Sequence, residues 1–228
     1  MNPPQRNIAA YYDAFYRDGD FPHYSPAVTR SVLAALSRKT GLPPGARVLD
    51  VGCATGYYSA AFSELGYDVT GIDISTTAIE TARQRHPQLR FMQGDALASL
   101  PEGTRFDLVF AFGFSPANTE DLEQVRETLR QLAGHLRPGG TLAFLGGSRL
   151  TGSVTPSSDW HNHRWKDITG FAPAALRVTG GPWLTHFRCM HLLPEALSMS
   201  ATLTHLLRWL PLPFERRIVL LLRATPSA

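Results

Sequence analysis

Cysteine is scarce in this chain, and the scarcity excludes two classes at once. Cys53 and Cys189 are the only two in 228 residues, too few for a disulfide framework and without metal-ligand spacing. Long hydrophobic runs are missing too: the longest aliphatic stretch, residues 218–222, is five residues between Arg217 and Arg223, far short of a bilayer. The first six residues, Met-Asn-Pro-Pro-Gln-Arg, have no apolar core of the signal-peptide kind. A reducing cytoplasm is therefore the expected home, with no integral membrane association. A formal net charge of +3 is too small to argue for nucleic acid, and no internal repeat is present. At 43% hydrophobic residues the chain can bury a full core, so one domain with modest additions is expected.

What is present is alternation. Aromatic residues at helical spacing predict a helix over 7–17, and Pro26 opens a second that ends before Gly41. These form an expected N-terminal helical cap, residues 1–44. From residue 45 strands and helices take turns. Strands are predicted at 47–51, 68–73, 89–93, 106–111 and 141–145. Helices are predicted at 57–65, at 76–85 behind the N-cap Ser75, and at 120–136, where Leu122, Val125, Leu129, Leu132 and Leu136 share a face. This rhythm predicts a parallel sheet covered on both faces. After Gly147 it fails. Residues 148–193 read as a substrate-covering insertion, with a weak strand at 183–190, a helix at 194–210 and a closing strand at 217–223. From Arg149 onward nine Lys/Arg stand against four acids, which reads as either a solvated surface or an attraction for an anionic substrate.

The chemistry-bearing pattern is Val48-Leu-Asp-Val-Gly-Cys-Ala-Thr-Gly56, followed by a second apolar run that ends at Asp73. A strand breaking into small residues lets a ligand approach the backbone, and a carboxylate one strand along can accept two hydrogen bonds from a ribose diol. The middle glycine of the dinucleotide G-x-G-x-x-G fingerprint is absent, as is a Walker lysine. An adenosine-containing ligand without phosphates is the better match.

With these residues the chain resembles the class I S-adenosylmethionine (SAM)-dependent methyltransferases, a Rossmann-like family with a mostly parallel seven-stranded sheet and helices on both faces. The likeness covers roughly residues 45–147. Five markers occur in the family's order: the first motif ending at Gly56, Val69-Thr-Gly-Ile-Asp-Ile-Ser75, Phe91-Met-Gln-Gly-Asp95-Ala96, Phe106-Asp-Leu-Val-Phe110, and Leu136-Arg-Pro-Gly-Gly140. The resemblance implies that Gly52, Cys53, Ala54 and Gly56 carry the backbone under the methionine part of SAM, and that Asp50 faces its ammonium. It implies that Asp73 holds the ribose hydroxyls, that Ile74 packs on the adenine, and that Asp95 and the Ala96 backbone read the adenine edge. Phe112 would line the pocket near the sulfonium, and S-adenosylhomocysteine (SAH) would be the product. Ala54 departs from the usual glycine of that turn, a mild change expected to weaken SAM binding somewhat.

Methyl transfer needs alignment more than acid–base help: holding acceptor and donor in line contributes ~7–11 kcal/mol. Candidate bases lie outside the shared core, at His161 and His163 in Trp160-His-Asn-His-Arg-Trp165, with His186 and His191 behind them. Loop packing explains the two leading histidines as simply, and no third ligand of metal spacing accompanies them. Tyr16 is a further catalytic candidate and Tyr12 a cofactor contact, both on a helix resembling the tyrosine-bearing segment that folds over the cofactor in related enzymes; docking of that helix is the alternative. The residues after the fourth strand, Phe112-Gly-Phe-Ser-Pro116, lack the Asp/Asn-Pro-Pro-aromatic tetrad of nucleic-acid base methyltransferases. A small-molecule acceptor with an O, N, S or C nucleophile is expected. The alternatives are a SAM-binding enzyme catalysing a non-methylating rearrangement or cyclisation, and a non-catalytic SAM-binding subunit.

Overall fold

The protein is described from a computed structural model, which covers residues 7–20, 25–149, 163–168, 170–173, 176–186 and 216–224. Two helices, α1 (Ile8–Asp18) and α2 (Pro26–Thr40), precede β1 (Arg47–Val51), α3 (Tyr57–Glu64), β2 (Asp68–Asp73), α4 (Thr76–Arg85), β3 (Arg90–Gln93) and β4 (Phe106–Phe112). A 3-10 turn (Ser115–Ala117), α5 (Leu122–Ala133), β5 (Leu136–Arg149), β6 (His163–Arg164), α6 (Trp165–Ile168), β7 (Leu176–His186) and β8 (Arg216–Ala224) follow.

The main sheet has seven strands in the order β3-β2-β1-β4-β5-β8-β7, with the short β6 beside the end of β5. Pairing is parallel from β3 through β5; β8 runs antiparallel to both of its neighbours. The chain winds outward from β1 to β3, then returns to the other side of β1 as β4. That reversal opens a crevice at the carboxyl ends of the strands, where ligands of doubly wound sheets bind.

Period 2 along each strand assigns the faces. Val48, Val69, Leu108, Phe110 and Leu145 meet Leu33 and Leu36 of α2 and Phe62 of α3. Leu49, Val51, Ile72, Val109 and Phe144 meet Val125, Leu129 and Leu132 of α5 together with Phe171. The N-terminal helices therefore have different fates. α2 is built into the first face, while α1 lies across α4. The caps of α2 agree with its sequence: Ser25 accepts from the Val28 N–H, and Gly41 closes the helix at φ +67°.

Two sequence expectations are revised. The helix predicted over 120–136 is shorter, because Asp121 caps its start and Gly134 follows Ala133 at its end. Leu136 leaves the helical stripe and pairs with Phe106 as the first residue of β5, its apolar side chain buried equally well by the sheet. The strand expected at 183–190 starts earlier, at Leu176, because pairing with β8 rather than local alternation defines it. The helix predicted over 194–210 lies outside the described residues. Among those described, no helix is long and apolar enough to cross a membrane.

Leu129 is fully buried between α5 and the sheet. Leu129→Ala is expected to lower stability by ~2–5 kcal/mol, the usual cost of a truncated core leucine; urea unfolding with an unchanged m-value checks it.

Candidate functional site

Asp50 and Asp73 stand near the carboxyl ends of adjacent strands and, by the period of 2, on the same face as Val48 and Val69. They are treated differently. Asp50, 2% exposed, accepts the Ser59 hydroxyl on Oδ2 at 2.6 Å; Ser59 comes from the first turn of α3. Burial pushes Asp50 up to about 7, against the pull of the Ser59 bond and with a smaller upward push from Asp73. Its folded value thus lies above the ordinary ~3.9 of an unfolded chain. What Asp50 contributes to stability is present below that lower value and is lost as pH rises through about 7.

Asp73, 8% exposed, is clamped by backbone. Its Oδ2 accepts the Ala54 N–H and its Oδ1 the Ser75 N–H, each at 2.9 Å. Burial raises its pKa, and N–H groups of Ser75, Ala54 and Ile74 oppose that rise. Bonds of this kind to an ionised group contribute ~1.5–3 kcal/mol each, and the four lone pairs of the carboxylate outnumber these three donors.

The turn between β1 and α3 is shaped to reach this carboxylate. The Gly52 and Cys53 N–H groups bond the Ile72 carbonyl at 2.8 and 3.1 Å, lashing the turn to β2. Ala54 then adopts φ +52°, the left-handed conformation that L-residues resist. Gly56 closes the turn at φ +87°, and a Cβ there would come within 2.8 Å of the Phe91 ring. Cys53 is buried beneath, its thiol held protonated by burial and by the two nearby aspartates. The Phe114 ring stands over Gly52, 3.5 Å from where a Cβ would be.

The remaining predicted cofactor residues surround this centre. Ile74 is half-buried directly after Asp73, its carbonyl accepting the Gln93 amide at 3.0 Å. Asp95 is exposed at the end of the next strand, where its Oδ1 accepts the Leu97 N–H. Gly94, immediately before it, bonds the Asp73 carbonyl at 2.8 Å, and Ala96 is buried in the core. Phe112, half-buried, meets Tyr58 edge to face at 5.0 Å. From α1, Tyr12 bonds Ser115 and Tyr16 packs toward Asp73, Asp20 and Cys53. Their rings stack at 6.3 Å, and burial raises both phenols above their ordinary value.

His163 lies beside the turn that follows β4. It is 3% exposed, its Nε2 lies 3.0 Å from the Ala117 carbonyl, and its ring meets Phe171 at 4.6 Å. His161 and His191 lie outside the described residues, among which no group of His, Cys, Asp and Glu is placed to hold a metal. Sequence reasoning did not single out Ser59, Thr55, Ser115, Asp13 or Asp20. Each is an isolated polar residue whose partner is distant in the chain.

A doubly wound sheet carries acids at the ends of its first two strands and a backbone clamp between them, at the edge where sheets of this kind bind ligands. Residues 48–140 match the model of a methyltransferase domain. The chain is 28% identical over 165 residues to the malonyl-[acyl-carrier protein] O-methyltransferase of Serratia marcescens, an alignment covering 72% of this chain and 60% of that protein. Among solved structures, a SAM-dependent methyltransferase from Thiobacillus denitrificans in complex with SAH superposes with a TM-score of 0.62 at 19% identity, covering 99% and 100% of the two chains. The [4+2]-cyclase SpnF has the same fold, with a TM-score of 0.66 at 15% identity over 99% and 98%. Residues 48–140 thus resemble a methyltransferase domain and the chain shares the fold of these solved structures, while it spans less than two thirds of the length of the curated relatives it matches.

Ala54 is the single non-glycine at positive φ among the described residues. Ala54→Gly is expected to raise stability by roughly 1 kcal/mol, since left-handed strain of ~1–2 kcal/mol is relieved and part is offset by the greater freedom of the unfolded chain. Chemical denaturation measures it.

Proposed function

We propose that this protein binds SAM across the carboxyl ends of β1 and β2 and transfers its methyl group to a nucleophile of a small organic molecule. One observation carries the reading: two buried carboxylates on one face, one suited to a cation and the other to hydroxyls. Among the described residues Asp50 is bonded by Ser59 alone and lies close to neutrality at physiological pH. An α-ammonium is the partner that restores its charge. Asp73 is fixed by main-chain donors with lone pairs to spare, the arrangement a ribose diol needs.

The turn through Gly52, Cys53, Ala54 and Gly56 brings backbone rather than side chains to the methionine part. Ile74 offers an apolar face to the adenine, with Asp95 and the Ala96 N–H at its edge. Tyr12 contacts the ligand from α1, and Phe112 borders the reacting end. SAM supplies a methyl carbon already activated by the sulfonium. The protein's own part is to orient donor and acceptor and to exclude water. Tyr16, buried with a raised pKa, shields Asp73 and stays protonated. His163, held in the core by Ala117 and Phe171, supports the segment after β4 and takes no part in proton transfer. The acceptor is a small molecule, with neither metal nor nucleic acid involved, and the protein acts in the cytoplasm.

Incubation with SAM and a panel of phenols, amines, thiols and carboxylic acids, read by mass spectrometry, tests the reaction. A product heavier by one methylene with equimolar SAH supports it; a product formed without loss of SAM would instead place the chain with the rearranging enzymes. Asp73→Ala is expected to weaken SAM binding more than tenfold by calorimetry. SAH affinity should rise along a lower limb as pH increases through about 7, because Asp50 must ionise to meet the ammonium. Asp73 and Cys53 are the titratable neighbours that couple electrostatically to Asp50. Asp50→Asn should abolish the lower limb, whereas adenosine binding should show no such limb in either protein.

A further inference from the structure

Both turns that clamp Asp73 are themselves held by carboxylates from the N-terminal segment. Ser75 gives its N–H to Asp73 Oδ1 and its hydroxyl to Asp13 Oδ1, at 2.9 and 2.6 Å. On the other side, Ala54 gives its N–H to Asp73 Oδ2 at 2.9 Å, and the next residue, Thr55, gives its hydroxyl to Asp20 Oδ2 at 2.6 Å. Asp13 also accepts the Thr77 N–H at 3.1 Å, so it sits among the otherwise unpaired first-turn donors of α4, where an anion is favoured. Arg85, at the far end of α4, reaches both Asp20 and Thr55 at 3.0 Å. Between Asp13 and Asp20 in the chain, the buried Tyr16 lies close enough to Asp73 for that carboxylate to raise its pKa.

We propose that Asp13 and Asp20 are positioning residues for the nucleoside site, clasping α1 to the two turns that hold Asp73 so that α1 and the ribose carboxylate open and close as one unit. The proposal rests on the nucleoside-binding reading of Asp73 given above. Acids that only docked α1 could bond anywhere along α4. Instead each takes a hydroxyl from the very residue that donates to Asp73, or from the one after it. Hydroxyl-to-carboxylate bonds are short and charge-assisted, and they bring three like charges together around one site. That arrangement persists only while the hydroxyls, the α4 amides and Arg85 stay in place. On this proposal α1 closes over a ligand bonded to Asp73, which leaves only when both clasps release.

The test uses the full chain with SAH as probe. In Asp13→Asn/Asp20→Asn, SAH dissociation should be at least tenfold faster than in wild type, with each single variant intermediate, and adenosine dissociation should accelerate to the same degree. Hydrogen exchange should show SAH-dependent protection of residues 8–20 and 73–78 together in wild type, and its loss from both in the double variant. A double variant that releases SAH within twofold of the wild-type rate overturns the proposal while leaving the nucleoside site intact. Wild-type protein that binds no SAH takes both readings down. If the double variant does not fold, wild-type exchange decides: SAH protection confined to 73–78, with α1 unaffected, overturns the clasp.

Discussion

A buried carboxylate needs donors, and meeting that need at Asp73 organises this end of the molecule. An ion taken out of water without partners costs several kcal/mol, so the chain brings N–H groups to Asp73 from both flanks. The Ala54 donor is delivered by a turn whose backbone is left-handed at that residue, and the Ser75 donor by the N-cap of α4. The strain at Ala54 and the capping of α4 are thus parts of one arrangement. Sites that accept local strain for preorganisation are a recurring feature of functional centres.

Asp50 shows the complementary solution. It lies deeper than Asp73 and receives its bonds from a single residue, Ser59. Burial therefore dominates, and the carboxyl sits near the point where it gains or loses its proton. The two aspartates share a face and a neighbourhood yet differ in chemistry because of how many donors the local backbone supplies. In the proposed function Asp73 meets neutral hydroxyls and Asp50 a cation.

Much of the scaffold was legible in one dimension. β1 and β2 begin and end where apolar runs meet Gly52 and Asp73, and Ser75 announced α4 through its capping chemistry. Helix periodicity overran at Leu136, because an apolar residue four positions past Leu132 fits a helical stripe and a sheet edge equally well. β7 was anticipated late because its pairing partner, β8, lies far along the chain. For His163 the sequence left base and loop packing both open, and the fold sets it against Ala117 and Phe171.

The sequence by itself determined the order of strands and helices as far as β5, the small-residue turn and the identity of the two acids, because these depend on periodicity and on side-chain size over short spans. Tertiary structure alone decided how each acid is used. Ser59 reaches Asp50 across nine residues, Thr55 reaches Asp20 across thirty-five, and Asp13 reaches Ser75 across sixty-two. A hydrogen bond depends on distance in space, and no local pattern records which distant hydroxyl will arrive beside a given carboxylate.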